Sequence, residues 1–123
     1  MDSNTPTSTG PDYSMVDSRQ KALARAVRGD LVPLQLLPAI FGGDDSAENL
    51  VFVPSFAADL KNRTDENVIA PLAREGKFTR YRATPEYWGN SFVPIAIRIV
   101  AEDPGSFAYD LAIWGEALER GDS

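Results

Sequence analysis

Apolar positions along this chain follow two different rhythms. Between Leu31 and Val53 they form two nearly continuous runs, LVPLQLLPAIF and LVFVP, separated by the turn-rich GGDDSAEN. Pro33 and Pro38 interrupt the first run, which suits an edge-type strand better than a helix, because proline removes a backbone donor and breaks a helix interior. From Ser55 the spacing becomes helical through Phe56, Leu60, Val68, Ile69, Leu72 and Ala73, with Ser55 as N-cap and Gly76 as stop. Pro71 lies inside that stretch and costs roughly 3 kcal/mol in a regular helix, so a kink or two short helices is expected. KFTRYRATPEYW, SFVPIAIRIVAE and SFAYDLAIW then alternate or run apolar, divided by WGNS and DPGS turns, and predict three antiparallel strands before a short terminal helix over GEALER. Residues 17 to 28 are good helix formers behind Asp17, which can cap them, and their one i, i+4 apolar pair, Leu23 with Val27, predicts a solvated helix or arm.

The expected fold is therefore α+β: a hairpin over residues 31 to 53 joined by the Gly42-Gly43 loop, a kinked helix packed on it, and an antiparallel sheet. Phe41, Leu50, Val51, Phe56, Leu60, Val68, Ile69 and Leu72 are expected to be mostly buried. At 123 residues with 43% hydrophobic content, the chain is long enough for one core and too short for two ordinary domains. Residues 1 to 16 have little to bury, so they read as a disordered tail ahead of a single domain over 17 to 123.

Composition narrows the chemistry. The chain has no Cys and no His, which removes disulfides, thiolate nucleophiles and the usual zinc ligands together. No run reaches the ~20 apolar residues of a membrane span, and the N-terminus lacks the basic start and apolar core of a Sec signal. A cytoplasmic protein, or one exported without a recognisable Sec signal, is expected. Net charge is −6, and because residues 1 to 30 hold four basic and four acidic groups, the rest holds eight basic against fourteen acidic. Such a domain is disfavoured as a nucleic-acid binder and suits a basic or neutral protein partner.

One continuous stretch carries a family resemblance. Gln35-Leu36-Leu37-Pro38-Ala39-Ile40-Phe41-Gly42-Gly43, then Glu48-Asn49-Leu50-Val51, Ala57-Ala58-Asp59-Leu60, Glu66-Asn67, Glu75-Gly76-Lys77 and Pro85, Tyr87, Gly89, Ser91, Val93, Pro94 follow one another without gaps. In that register they resemble the DNA/RNA non-specific endonucleases, in particular the branch found as toxin domains in bacterial polymorphic toxin systems. Its pattern runs H-L-I-P-A-x-F-G-G, D-N-L-V, L-N-R-G, E-N, E-G-K and P-x-Y-x-G-x-S-x-R-P. The resemblance covers residues 35 to 94 and implies a ββα-metal nuclease-like core. In that family a His at the first position is the general base, the Asn of L-N-R-G holds a divalent metal, the downstream Glu supports the site, and an Arg precedes the last Pro. Here those positions hold Gln35, Ala58, Glu66 and Val93, so only the Glu keeps its type. An amide does not titrate near neutral pH, and a methyl group cannot bind a hard cation.

The resemblance therefore implies a degenerate form, with no catalytic residue and no cofactor: a non-catalytic nuclease-like domain that binds a protein. Two other readings stand beside it. One is a Mg²⁺-dependent endonuclease with ligands relocated to Asp59, Asn62 and Glu66, which share a helix face. The other is an acidic immunity or nucleic-acid-mimic protein. The expected binding surface lies between the loop carboxylates Asp44, Asp45 and Glu48 and the helix residues Asp59, Asn62 and Glu66. Arg74, Lys77, Arg80 and Arg82 form either a phosphate patch or a local salt-bridge surface. Gln35 either lines the old cleft or faces solvent on an edge strand. Trp88 and Trp114 read as core or lid residues.

Overall fold

The computed structural model describes residues 12 to 120, with side chains as far as Leu118. Helix α1, Arg19–Arg28, is capped by Ser18, whose hydroxyl accepts from the Lys21 N–H at 3.1 Å. Asp17, expected to cap, instead pairs with the Lys21 ammonium at 2.8 Å. Ala22 is the buried residue of α1, while Leu23 and Val27 face solvent, so the helix lies on the surface as expected. Ahead of it, Tyr13 and Val16 are buried in the main core. That corrects the tail expectation for its last residues: Tyr13 meets Trp114 edge-on and its carbonyl accepts from the Ser91 hydroxyl, so ordering this segment is offset by burial and hydrogen bonding. The rest of the expected tail, residues 1 to 11, lies outside the described residues.

Strands β1, Val32–Gln35, and β2, Leu50–Val53, pair antiparallel, with Val32 opposite Val53 and Gln35 opposite Leu50. The hairpin is thus present, closed by the loop around Gly42 and Gly43. Helix α2, Ser55–Thr64, follows directly, capped by Pro54 rather than Ser55, and continues through a π turn at Asp65–Ile69 into α3, Ala70–Arg74. Together they make one helix of about twenty residues, and the kink expected at Pro71 is absorbed by the π turn. There the Ala70 N–H reaches the Asp65 carbonyl, five residues back, which widens the backbone where the proline ring would otherwise crowd the preceding turn. Pro71 then sits in the first turn of α3, where proline is tolerated.

The helix buries a face different from the expected one. Ala57, Ala58, Lys61, Asp65 and Ile69 point inward, whereas Phe56, Leu60 and Val68 are exposed. Two small alanines let the helix approach the core closely, and the long stem of Lys61 fills space that a leucine was expected to fill. Val51 and Ile69 are buried as expected; Phe41, Leu50 and Leu72 are half-buried.

The second sheet is an antiparallel meander of β3, Phe78–Glu86, β4, Ala96–Pro104, and β5, Ser106–Ala112, in that order, followed by α4, Glu116–Arg120. The stretch from Tyr87 to Pro94, expected as strand, turn and strand, is a loop, because β3 stops at Glu86 and β4 starts at Ala96, and this counts against the nuclease resemblance, whose last motif lies there. Ser91 holds that loop closed, its hydroxyl accepting from the Val93 N–H at 3.0 Å. Helix α2 approaches β1 and β5 while α3 approaches β3, so one core runs between the long helix and both sheets. No helix among the described residues is long and apolar enough to cross a membrane.

Loop closure depends on two glycines for different reasons. Gly42 has φ 97° with open space around it, whereas a Cβ on Gly43 would stand 1.7 Å from the Leu37 carbonyl oxygen. Gly42→Ala should therefore cost about 1–2 kcal/mol of backbone strain. Gly43→Ala should cost more, because backbone must move. Urea midpoints of the two variants measure the difference, and equal losses would contradict the close approach.

Candidate functional site

The loop between β1 and β2 is built by side-chain amides. Asn49 accepts from the Leu37 N–H at 2.8 Å and donates to the carbonyls of Leu37 at 2.9 Å and Asp44 at 2.7 Å, replacing a missing ladder pair with its own amide. Gln35 works from the other side, accepting from the Ala39 N–H at 3.0 Å and donating to the Asp45 carboxylate at 2.9 Å. It is half-buried and committed to loop structure through both ends of its amide. Asp44 accepts from the Ser46 N–H at 3.1 Å, and hydrogen bonds from Ser46 hold its carboxyl below the usual value.

Behind this loop lies the one arrangement that sequence reasoning missed. The Lys61 ammonium donates to the Asp65 carboxylate at 2.8 Å and to the Tyr81 hydroxyl at 2.9 Å, and that hydroxyl donates to the other Asp65 oxygen at 2.8 Å. Lys61 is 0% and Asp65 1% exposed. Burial pushes the Lys61 ammonium down, against the pull of Asp65, and pushes the Tyr81 phenol far up, with the negative Asp65 adding to the rise. The available signal was the i, i+4 spacing of Lys61 and Asp65, which usually marks an exposed helix pair. Lys61 and Asp65 are closed off from water while Tyr81 is half-buried, and together the three groups fasten the helix to β3.

The four positions singled out by the resemblance sit in different environments. Ala58 and Val93 are core residues at 6% and 0% exposure, and the Val93 carbonyl accepts from the Trp114 indole N–H at 2.9 Å. Gln35 is held in the loop, and Glu66 is exposed on the π turn. At the position where that family carries a metal-binding side-chain oxygen, this chain has the buried methyl of Ala58. Among the described residues no three acidic groups gather as a metal site.

Of the expected binding surface, Asp44, Asp45, Glu48, Asp59, Asn62 and Glu66 are all exposed. Glu66 shares a shallow hollow with Ile40, Phe41, Ala70, Ala73 and Arg74, which brings the helix to the loop at that point; Asp59 and Asn62 do not line it. A second hollow, of about 240 Å³, opens beside it over Leu37, Phe41, Phe78, Arg80 and Tyr81. That is below the roughly 300–1,000 Å³ of small-molecule sites, whereas the Glu66 hollow, at about 350 Å³, falls at the low end of that range.

The basic residues divide. Arg80 pairs with Asp103 at 3.4 Å, Arg82 with Glu102 at 3.7 Å and Arg98 with Asp110 at 3.0 Å across neighbouring strands. Arg74 and Lys77 carry no ion pair among the described residues. Of the two aromatic residues singled out, Trp114 is core while Trp88 is 52% exposed and packs edge-on against it. Comparison with family models, with curated proteins and with solved structures returned no match.

Breaking the buried pair from one side should be far worse than removing both charges. Asp65→Ala leaves a buried ammonium and should cost about 3–5 kcal/mol, whereas Lys61→Met with Asp65→Leu should recover most of that loss. Urea denaturation of the three proteins checks it; a double variant as unstable as the single one would contradict the assignment.

Alkaline pH gives a second test. Tyr81 keeps its proton in the folded chain above the value of 10.0 at which an ordinary phenol loses it. Stability linked to Tyr81 is therefore complete below about pH 10 and falls as pH rises beyond it. Lys61 acts in the opposite sense, its depressed value favouring the fold as pH climbs towards 10.5. In Tyr81→Phe the decline of unfolding free energy above about pH 10 should be shallower by about one proton. An unchanged slope would remove Tyr81 as its source.

Proposed function

We propose that this chain is a non-catalytic, nuclease-like domain of the ββα-metal kind, related to bacterial toxin systems, that binds a basic protein partner through its acidic loop face. The observation that carries this reading is the fate of the positions that hydrolysis would need. Gln35 is engaged in the loop at both ends of its amide, while Ala58 and Val93 are packed in the core. Metal-assisted hydrolysis requires an oriented nucleophile and a charge-neutralising cation together, and these side chains supply neither. The strand, Gly-Gly loop, strand and helix order supports the scaffold half of the proposal.

Support for the binding half is electrostatic. Asp44, Glu48, Asp59 and Glu66 have no ion pair among the described residues, and Arg80, Arg82 and Arg98 are matched by carboxylates elsewhere. The loop carboxylates therefore carry charge that no ion pair cancels, which repels phosphates and draws a polycation, while Arg74 shares the hollow with Glu66.

Poly-lysine and a short DNA duplex serve as opposite probes. Poly-lysine should shift amide resonances over Asp44 to Glu48 and around Glu66, with affinity falling as salt rises, and Asp44→Lys with Asp45→Lys should slow association about tenfold or more. Plasmid and RNA should remain intact with Mg²⁺ or Mn²⁺. Digestion that EDTA stops and Glu66→Ala abolishes would favour the relocated-ligand nuclease instead. Shifts confined to Arg74, Lys77, Arg80 and Arg82 on adding DNA would sink the acidic-face reading.

A further inference from the structure

We infer that the open edge of β5 is a pairing surface for a second copy of this chain, joined antiparallel about a two-fold axis at Tyr109. β5 is the last strand of its sheet and, among the described residues, pairs only with β4. Its hydrogen-bond phase is fixed from both ends: the Ile113 N–H donates to the Ile95 carbonyl at 2.7 Å, and the Asp103 N–H to the Gly105 carbonyl at 2.9 Å. Bonded and non-bonded pairs alternate along an antiparallel ladder, so Phe107, Tyr109 and Leu111 exchange bonds with β4. The backbone groups of Ser106, Ala108, Asp110 and Ala112 consequently point outward. Among the described residues no other strand takes them up.

The two edges of this sheet are guarded differently. On β3 the same alternation turns Pro85 outward, where its missing N–H costs no ladder bond and blocks a further strand, and Arg80 and Arg82 add charge. β5 has no proline and no basic residue. Its single charge, Asp110, is already neutralised by Arg98 at 3.0 Å.

The chemistry of the edge fits its own copy. Pairing centred on Tyr109 overlaps the whole strand and sets Ser106 opposite Ala112, Ala108 opposite Asp110 and Phe107 opposite Leu111. Outward backbone groups then meet outward ones, the bulky inner residues face each other, and no like charges oppose. Beneath the edge, Thr64 lies beside Tyr109. Leu60 and Phe56, one and two turns earlier in the same row of α2, are 41% and 42% exposed. A two-fold axis at the edge brings this row towards its counterpart and covers it. That accounts for large apolar groups left outside a helix whose inner face carries alanines.

Because each copy bears a net charge of −6, long-range repulsion opposes this association, and added salt should strengthen it. The acidic-face reading responds to salt in the opposite direction, so either can fail without the other. Sedimentation equilibrium of the full chain should give twice the single-chain mass of 13.4 kDa as concentration rises. Amide exchange should slow at Ala108, Asp110 and Ala112. Ala108→Pro removes an outward N–H that β4 does not use, and should restore the single-chain mass with an unchanged circular dichroism spectrum. Leu60→Glu, at an exposed position, should raise the dissociation constant about tenfold and serves if the proline variant fails to fold. A single-chain mass at every concentration, a dimer that survives both substitutions, open-ended larger assemblies, or slowed exchange only with a foreign peptide would each overturn the inference.

Discussion

The buried Lys61 ammonium and Asp65 carboxylate close a hydrogen-bonded ring with the hydroxyl of the half-buried Tyr81, and much of the fold's geometry follows from it. Removing two charges from solvent costs several kcal/mol each unless every donor and acceptor is met, so the helix can seat only in the rotation that delivers both groups to Tyr81. That rotation turns Ala57 and Ala58 inward and Phe56 and Leu60 outward. Asp65 also opens the π turn, its carbonyl accepting from Ala70, so the residue that anchors the helix to β3 begins the irregularity that accommodates Pro71. Hydrophobic spacing alone favours a different rotation, and the polar ring overrides it.

The loop obeys a separate constraint. Gly42 adopts a positive φ, Gly43 has no room for a Cβ, and the Asn49 amide replaces three backbone partners. Any chain with this loop needs these residue types whatever chemistry it performs, since backbone groups left unpaired at a half-buried turn cost free energy. The residue types of this loop are thus accounted for by its backbone.

Strand and helix order was legible because it rests on local signals: prolines in the first apolar run, helical spacing after Ser55, alternation in the last three strands. The buried face of the helix was not. A Lys and an Asp four residues apart look the same in sequence whether solvated or sealed, and the partner that decides between them, Tyr81, lies sixteen residues beyond Asp65 across a chain reversal. Tyr13 and Val16 were lost to the tail for a related reason, since two apolar residues in a polar stretch gain value only from contacts with Ser91, Phe92 and Trp114. The candidate surface was half legible: exposure of its carboxylates followed from composition, but which of them meet across the loop did not. A π turn changes the angular relation between Glu66 and the residues before it, so the equal-face argument linking Asp59, Asn62 and Glu66 holds only in a regular helix.

Charge distribution extends the same logic to the surface. Beyond residue 30 the basic groups are outnumbered, and several of them are neutralised locally: Lys61 inside the core, and Arg80, Arg82 and Arg98 each by a carboxylate on a neighbouring strand. Cross-strand pairs of this kind on the open face of a sheet contribute little to stability, yet they cancel the field there. The acidic excess is then left to the hairpin loop and the outer side of the helix, where Asp44, Glu48, Asp59 and Glu66 face solvent. At physiological salt the field of an exposed charge decays over about 8 Å, so charges spread along one side act together on a large partner and separately on a small one.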